Sequence, residues 1–207
     1  MRRIRGVRWA LGCLVMILGL WQGAHASVMV YDFEAFSDSD LLAGQLPGLT
    51  FGSTIVLSTG VSLNEFEFPP KSGFNVVSDN GGPIEILFAA PVTRVGGYFT
   101  YLDNLLLTAY DAADQVIDFA ASQFRANMAL SGDASSSPNE YLELSAIGIS
   151  RVVFSSSALG GSFVLDDLTV ETGAVSIPEP SSGALIGLAI AALGWRRNRS
   201  TFPVACP

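Results

Sequence analysis

Asp166 and Asp167 stand side by side in an otherwise apolar run, Phe163-Val164-Leu165-Asp166-Asp167-Leu168-Thr169-Val170. Burying an unpaired carboxylate in such a strand is costly. At least one of the two must sit at a rim, accept hydrogen bonds or hold a cation. Adjacent strand residues point to opposite faces unless a bulge intervenes, so the two do not by themselves make a catalytic pair. Glu65 and Glu67 share one face by alternation. A glycosidase needs two carboxylates roughly 5–9.5 Å apart across a sugar, but strand neighbours i and i+2 always meet that condition, and a solvated face opposite Phe66 and Phe68 accounts for them. Tyr98 and Tyr101 lie near the Asp103-Asn104 turn, and Tyr141 follows a polar loop. These three tyrosines are candidates for a ring-stacking platform for glycans. Ordinary strand packing with the hydroxyl at the surface is the alternative.

What is missing narrows the chemistry further. The single histidine is His25, and the two cysteines are Cys13 and Cys206. Between residues 27 and 176 there is neither. That segment can hold no Ser-His-Asp triad, no cysteine nucleophile, no zinc site built from His and Cys, and no internal disulfide. Its bases are Lys71, Arg94, Arg125 and Arg151, against eighteen acids, a formal balance of −14. Phosphate contact requires Lys and Arg, so the balance argues against nucleic acid and anionic membrane surfaces as partners.

The elements that must position these residues are short strands. Val28–Glu34, Leu49–Leu57, Val61–Phe68, Ile84–Phe88, Val92–Leu102, Leu105–Tyr110, Val116–Phe119, Tyr141–Leu144, Arg151–Ser155 and Ser162–Glu171 are apolar, alternating or β-branched. Pro47-Gly48, Pro69-Pro70, Asp79-Asn80-Gly81-Gly82, Pro91 and Asp111–Asp114 separate them. Gly96-Gly97 marks a bulge, and Ala120–Leu130 could hold one short helix. Short strands with turns at regular spacing predict an all-β, antiparallel β-sandwich, and about 150 residues suit one domain.

Both chain ends read as addresses. Arg2, Arg3, Arg5 and Arg8 precede an apolar run, Trp9–Trp21, and Ala24-His25-Ala26 is an A-x-A cleavage site. Residues 1–26 are therefore expected to be a signal peptide, handled by the Sec translocon and signal peptidase, with Ser27 as the mature start. At the other end Pro178-Glu179-Pro180 cannot continue a helix inward. A charge-free stretch follows, and residues 181–195 are expected to form a short transmembrane helix, with Trp195 at the interface. Arg196, Arg197 and Arg199 form a basic stop, which places residues 201–207 in the cytoplasm by the positive-inside rule.

Proline-glutamate-proline, a short span and an arginine cluster, in that order over residues 177–200, resemble the PEP-CTERM sorting signal of Gram-negative bacteria. The resemblance implies recognition of Pro178, Glu179 and Pro180 by an exosortase, a membrane protease/transpeptidase, with cleavage nearby. Thr201–Pro207 runs past the point where such tails usually stop. The segments 106–112, 151–156 and 163–170 resemble the jelly-roll cargo domains found ahead of these tails, which look broadly like carbohydrate-binding sandwiches. That likeness implies a structural Ca²⁺ between first and last strands, with Asp32, Glu34, Asp166 and Asp167 as ligands. The resulting expectation is an inner-membrane-anchored precursor. It is delivered to the cell surface or extracellular matrix as a non-enzymatic binding or structural module, with extracellular polysaccharide as a partner. A hydrolase using carboxylates alone is the alternative. Intact mass of the protein from its native host is expected to lack residues 1–26 and the segment after about Pro180. Pro178→Ala combined with Glu179→Ala should leave an unprocessed C-terminus in the inner membrane; unchanged processing would overturn the sorting reading.

Overall fold

Among the described residues the chain forms ten β-strands, most of them where apolar residues alternate. The computed structural model describes residues 26–157 and 159–173. The signal peptide up to residue 25, the sorting motif Pro178-Glu179-Pro180, the apolar run 181–195, the arginines Arg196, Arg197 and Arg199, and residues 201–207 lie outside the described residues. The strands are β1 (Ser27–Tyr31), β2 (Leu41–Leu42), β3 (Leu49–Gly52), β4 (Thr54–Ser58), β5 (Asn75–Asp79), β6 (Ile84–Tyr101), β7 (Leu106–Tyr110), β8 (Val116–Ala121), β9 (Glu140–Ser155) and β10 (Phe163–Thr172). Among the described residues there is no helix, and so none long and apolar enough to cross a membrane.

The strands form one antiparallel sheet in the order β2-β4-β5-β10-β6-β9-β7-β8, with β1 added to β10 and β3 to β6. The long strands β6 and β9 pair along most of their length, from Ile84↔Phe154 to Phe99↔Glu140. On an unbent strand Ile84 and Phe99 would lie roughly 50 Å apart at about 3.3 Å per residue. Yet the rings of Phe99 and Phe154 meet edge to face, with centroids 5.3 Å apart. The β6–β9 ladder therefore folds back on itself. The register shifts between Leu87 and Arg94 mark the corner, as in sandwiches whose strands switch layers at bulges. One half of β6 pairs with β3 and the other with β10. The main core fills the space between the layers, with Phe99, Tyr101, Leu107, Leu144, Ile149, Phe154 and Leu165 wholly buried.

The sheet departs from the sequence reading at several points. Pro91 does not end a strand: β6 runs through it, and the missing N–H falls in the shifted register at the corner, where no ladder bond is lost. Tyr141–Leu144 and Arg151–Ser155 are likewise parts of one strand, β9. Residues 61–68 form turns instead of a strand, with the Leu63 amide on the Ser58 carbonyl (3.1 Å) and the Phe68 amide on the Asn64 carbonyl (2.9 Å). Their alternation is broken: Leu63 and Phe68 pack over Val76 and Val164 in a second, smaller cluster, while Phe66 stands 73% exposed. Ala120–Leu130 forms no helix. Strand β5 is missing from the sequence reading because polar residues flank its valines; Asn75, Ser78 and Asp79 are all buried and hydrogen-bonded. Phe99→Ala is expected to lower the unfolding free energy by about 3–5 kcal/mol, and Phe66→Ala by no more than about 0.5 kcal/mol, both measured by denaturant unfolding.

Candidate functional site

Residues of β6 alternate between the core (Val95, Phe99, Tyr101) and the outer surface (Arg94, Gly96, Tyr98). The same period places Tyr141 and Glu143 of β9 on that outer surface beside them. Across the three strands Asp166, Tyr98 and Tyr141 form one row, with Tyr98 opposite Asp166 on one side and opposite Tyr141 on the other. The two tyrosine rings lie 5.1 Å apart at 58°. The phenol end of Tyr141 rests over Gly96, where a Cβ would come within 2.6 Å of its oxygen. Seated on backbone at Gly96, Tyr141 is 43% exposed. Its hydroxyl donates to Glu143 Oε2 at 3.0 Å. Glu143 in turn pairs with Arg94 at 3.8 Å, and Arg94 also pairs with Glu171. Burial raises the Tyr141 phenol pKa above its ordinary value, with the Glu143 carboxylate adding to the shift.

The Tyr98 ring is covered differently, by Lys71, whose Nζ lies 4.5 Å from the ring centroid. Lys71 is placed there by Asp166. One carboxylate oxygen accepts the Lys71 and Ser72 amides at 2.8 and 2.9 Å, and the other accepts the Asp167 amide at 2.7 Å. The register between β10 and β6 shifts after Asp166, and Asp167 takes a φ of 48°. The bulge therefore lies in β10, not at Gly96-Gly97. Gly97 accommodates it from the opposite strand, since a Cβ there would meet Leu165 Cδ1 at 2.4 Å. The bulge brings both aspartates to the same loop: Asp167 accepts the Ser72 hydroxyl at 2.8 Å. Asp166 is 1% exposed. Burial pushes its carboxyl up to about 6, against the pull of the Ser72, Asp167 and Lys71 amides.

Glu34 holds the next part of the same loop, accepting the Phe74 and Asn75 amides at 2.9 and 2.8 Å. It leaves no room for a side chain at Gly73, which has φ 55°. Asp32 accepts the amide of Glu34 at 3.2 Å. The four acids expected to ligate calcium thus serve largely as acceptors for backbone. Among the described residues no three such groups converge as metal ligands. Ca²⁺ takes six to eight oxygens, so the arrangement does not fit the ion, and no step is routed through one. Tyr101 does not join the other tyrosines. It points inward, wholly buried, and its hydroxyl donates to Glu140; burial and that carboxylate raise its pKa. Three residues apart on a strand, Tyr98 and Tyr101 face opposite ways. Glu67 accepts the Leu130 and Ser131 amides at 3.0 and 3.1 Å. Sequence reasoning missed Lys71, Arg94 and Glu143 as neighbours of the platform. The available signal was Gly96, because a glycine inside a strand marks a close approach.

Residues 176–199 match the PEP-CTERM protein-sorting motif, so the chain carries that motif at its C-terminal end. No curated protein matches the chain. Among solved structures it is similar to the K1 cleaved adhesin domain of Lys-gingipain from Porphyromonas gingivalis, with 8% identity, TM-score 0.42, and 71% of this chain and 99% of that one covered. It is also similar to a DUF4465 family protein from Bacteroides caccae, with 12% identity, TM-score 0.43, and 70% and 98% covered. A third is the K3 cleaved adhesin domain of the same gingipain, with 10% identity, TM-score 0.34, and 72% and 100% covered. With TM-scores below 0.5, none of the three bears on the function argued below.

The Asp166 carboxyl yields a test. Its folded value of about 6 exceeds the unfolded value of about 3.9, so the native state holds this proton more tightly. The resulting stability is complete below about pH 4 and is lost as pH rises through about 6. The unfolding free energy is expected to increase by about 1.4 kcal/mol from pH 7.5 to pH 5, and Asp166→Asn should flatten that segment. Asp38, Glu67 and Asp103, which hydrogen bonds hold below the usual carboxyl range, reverse the trend in stronger acid. A wild-type profile that is flat or falling between pH 7.5 and 5 would contradict this account.

Proposed function

We propose that the chain is an exported, non-enzymatic surface module that binds glycans on the outer face of β6 and β9, with Tyr141 as the stacking ring. In this reading residues 1–26 direct export through the Sec translocon and are removed by signal peptidase. Residues 181–195, with Arg196, Arg197 and Arg199, hold the precursor in the inner membrane. An exosortase recognises Pro178-Glu179-Pro180 and passes the domain to the cell surface or matrix of a Gram-negative bacterium. The sorting motif over residues 176–199 supports the export half. One observation supports the binding half: a tyrosine ring laid over Gly96 and 43% exposed, with Glu143 and Arg94 along its edge. An aromatic face flanked by polar donors and acceptors suits a sugar, which has apolar C–H faces and hydroxyl edges.

The hydrolase alternative would draw on Asp166 with Asp167, or on Glu65 with Glu67. Asp166 points into backbone amides, and Glu67 holds the loop at Leu130. Both are spoken for as structural acceptors, so no specific observation favours that reading.

Binding of the full chain to a glycan array, followed by titration of the ligands found, tests the proposal. Tyr141→Ala is expected to weaken binding by about 10-fold or more, equivalent to about 1.4 kcal/mol, while Tyr141→Phe retains most of it. Absence of any glycan ligand, or affinity unchanged in Tyr141→Ala, would overturn the reading.

A further inference from the structure

Three of the four bases between residues 26 and 173 are neutralised by nearby acids. Arg94 pairs with Glu143 and Glu171, Arg125 with Asp103 at 3.2 Å, and Arg151 with Glu85 and Asp114 at 3.0 Å each. Among the described residues Lys71 has no carboxylate oxygen within ion-pair distance of its ammonium. It rests instead on the Tyr98 ring, whose centroid lies 5.1 Å from that of Tyr141. Its backbone is fixed by Asp166, but its side chain is exposed. In a segment carrying eighteen acids, the one base without an ion-pair partner among the described residues thus stands at the aromatic platform.

We infer that the platform takes a glycan whose sugars carry carboxylates, the ring stacking on Tyr141 and the carboxylate meeting Lys71 Nζ. The inference rests on the glycan-binding reading above and deepens it. A charge-assisted hydrogen bond to a carboxylate is stronger than a neutral one, so the exposed Lys71 ammonium distinguishes a charged sugar from a neutral one. The acid-rich surface repels a polyanion over distance. That repulsion is screened beyond about 8 Å at physiological ionic strength, while the direct Lys71 contact persists. Uronate binding is therefore expected to strengthen as salt is raised from about 20 to about 150 mM, the reverse of binding driven by a broad basic surface.

The test uses the full chain, hexamers of galacturonate and of mannuronate, and the fully methyl-esterified form of each, which keeps linkage and shape while removing charge. In 150 mM salt at least one acid form is expected to bind about 10-fold tighter than its ester. Lys71→Gln should abolish the difference without weakening the ester, and Lys71→Arg should keep it. Esters that bind as well as the acids would overturn the inference and leave the glycan platform standing. An acid preference that survives Lys71→Gln would overturn the role of Lys71. Failure of all four probes, with no weakening of array ligands in Tyr141→Ala, would remove both readings together.

Discussion

A sheet with no helix to cover it must cover itself. The described domain has neither helices nor cysteines, so its apolar surface can leave water only by folding one part of the sheet onto another. The edge-to-face contact of Phe99 with Phe154 is where this closes. It forces the corner in β6 and β9, and the corner fixes which strands can join each half. β3 takes the first half of β6 and β10 the second, and the outward residues of that second half become the aromatic platform. The site is thus the reverse side of the core: every residue that turns Phe99 or Leu165 inward turns Tyr98 or Asp166 outward.

The second constraint is polar. Long loops need anchors, and here polar side chains, some buried (Asp166, Asp79, Asn127) and one exposed (Glu34), supply them through backbone amides. Asp166 and Glu34 hold the loop at residues 71–75, and Asp79 accepts the Ser162 and Phe163 amides. Asn127 accepts the Tyr101 amide and donates to the Phe99 and Ser137 carbonyls. Asp79 and Asn127 satisfy groups that would otherwise be buried unpaired, which costs more than the bond itself returns. This explains why residues of a type that suggests chemistry in the sequence turn out to be braces. A carboxylate surrounded by amides is a poor metal ligand and a poor nucleophile.

The legible part of the sequence was whatever depends on local period and local composition. Most strands, their antiparallel arrangement, and the terminal motif follow from alternation, turn residues and Pro-Glu-Pro before an arginine cluster. The conflict posed by Asp166 was also visible, since an acid in an apolar strand requires partners. Which partners could not be read, because Lys71 and Ser72 lie more than ninety positions away. Residues 61–68 looked like a strand because their alternation is real over a few positions; tertiary packing of Leu63 and Phe68 on Val164 overrides it. The separation of Tyr101 from Tyr98 was derivable from the strand period alone. The seating of Tyr141 on Gly96 needed the register between β6 and β9.

The place of β10 in the sheet sets the order of events in the life of the chain. It is the last strand in sequence, yet it lies between β5 and β6 and is the partner of β1. Until residues 163–172 arrive, β1 has nothing to pair with and the layer behind the platform has no middle. A sheet closed by such distant contacts forms late and slowly. For an exported chain this means that the N-terminal strand β1 stays unpaired until residues 163–172 follow it.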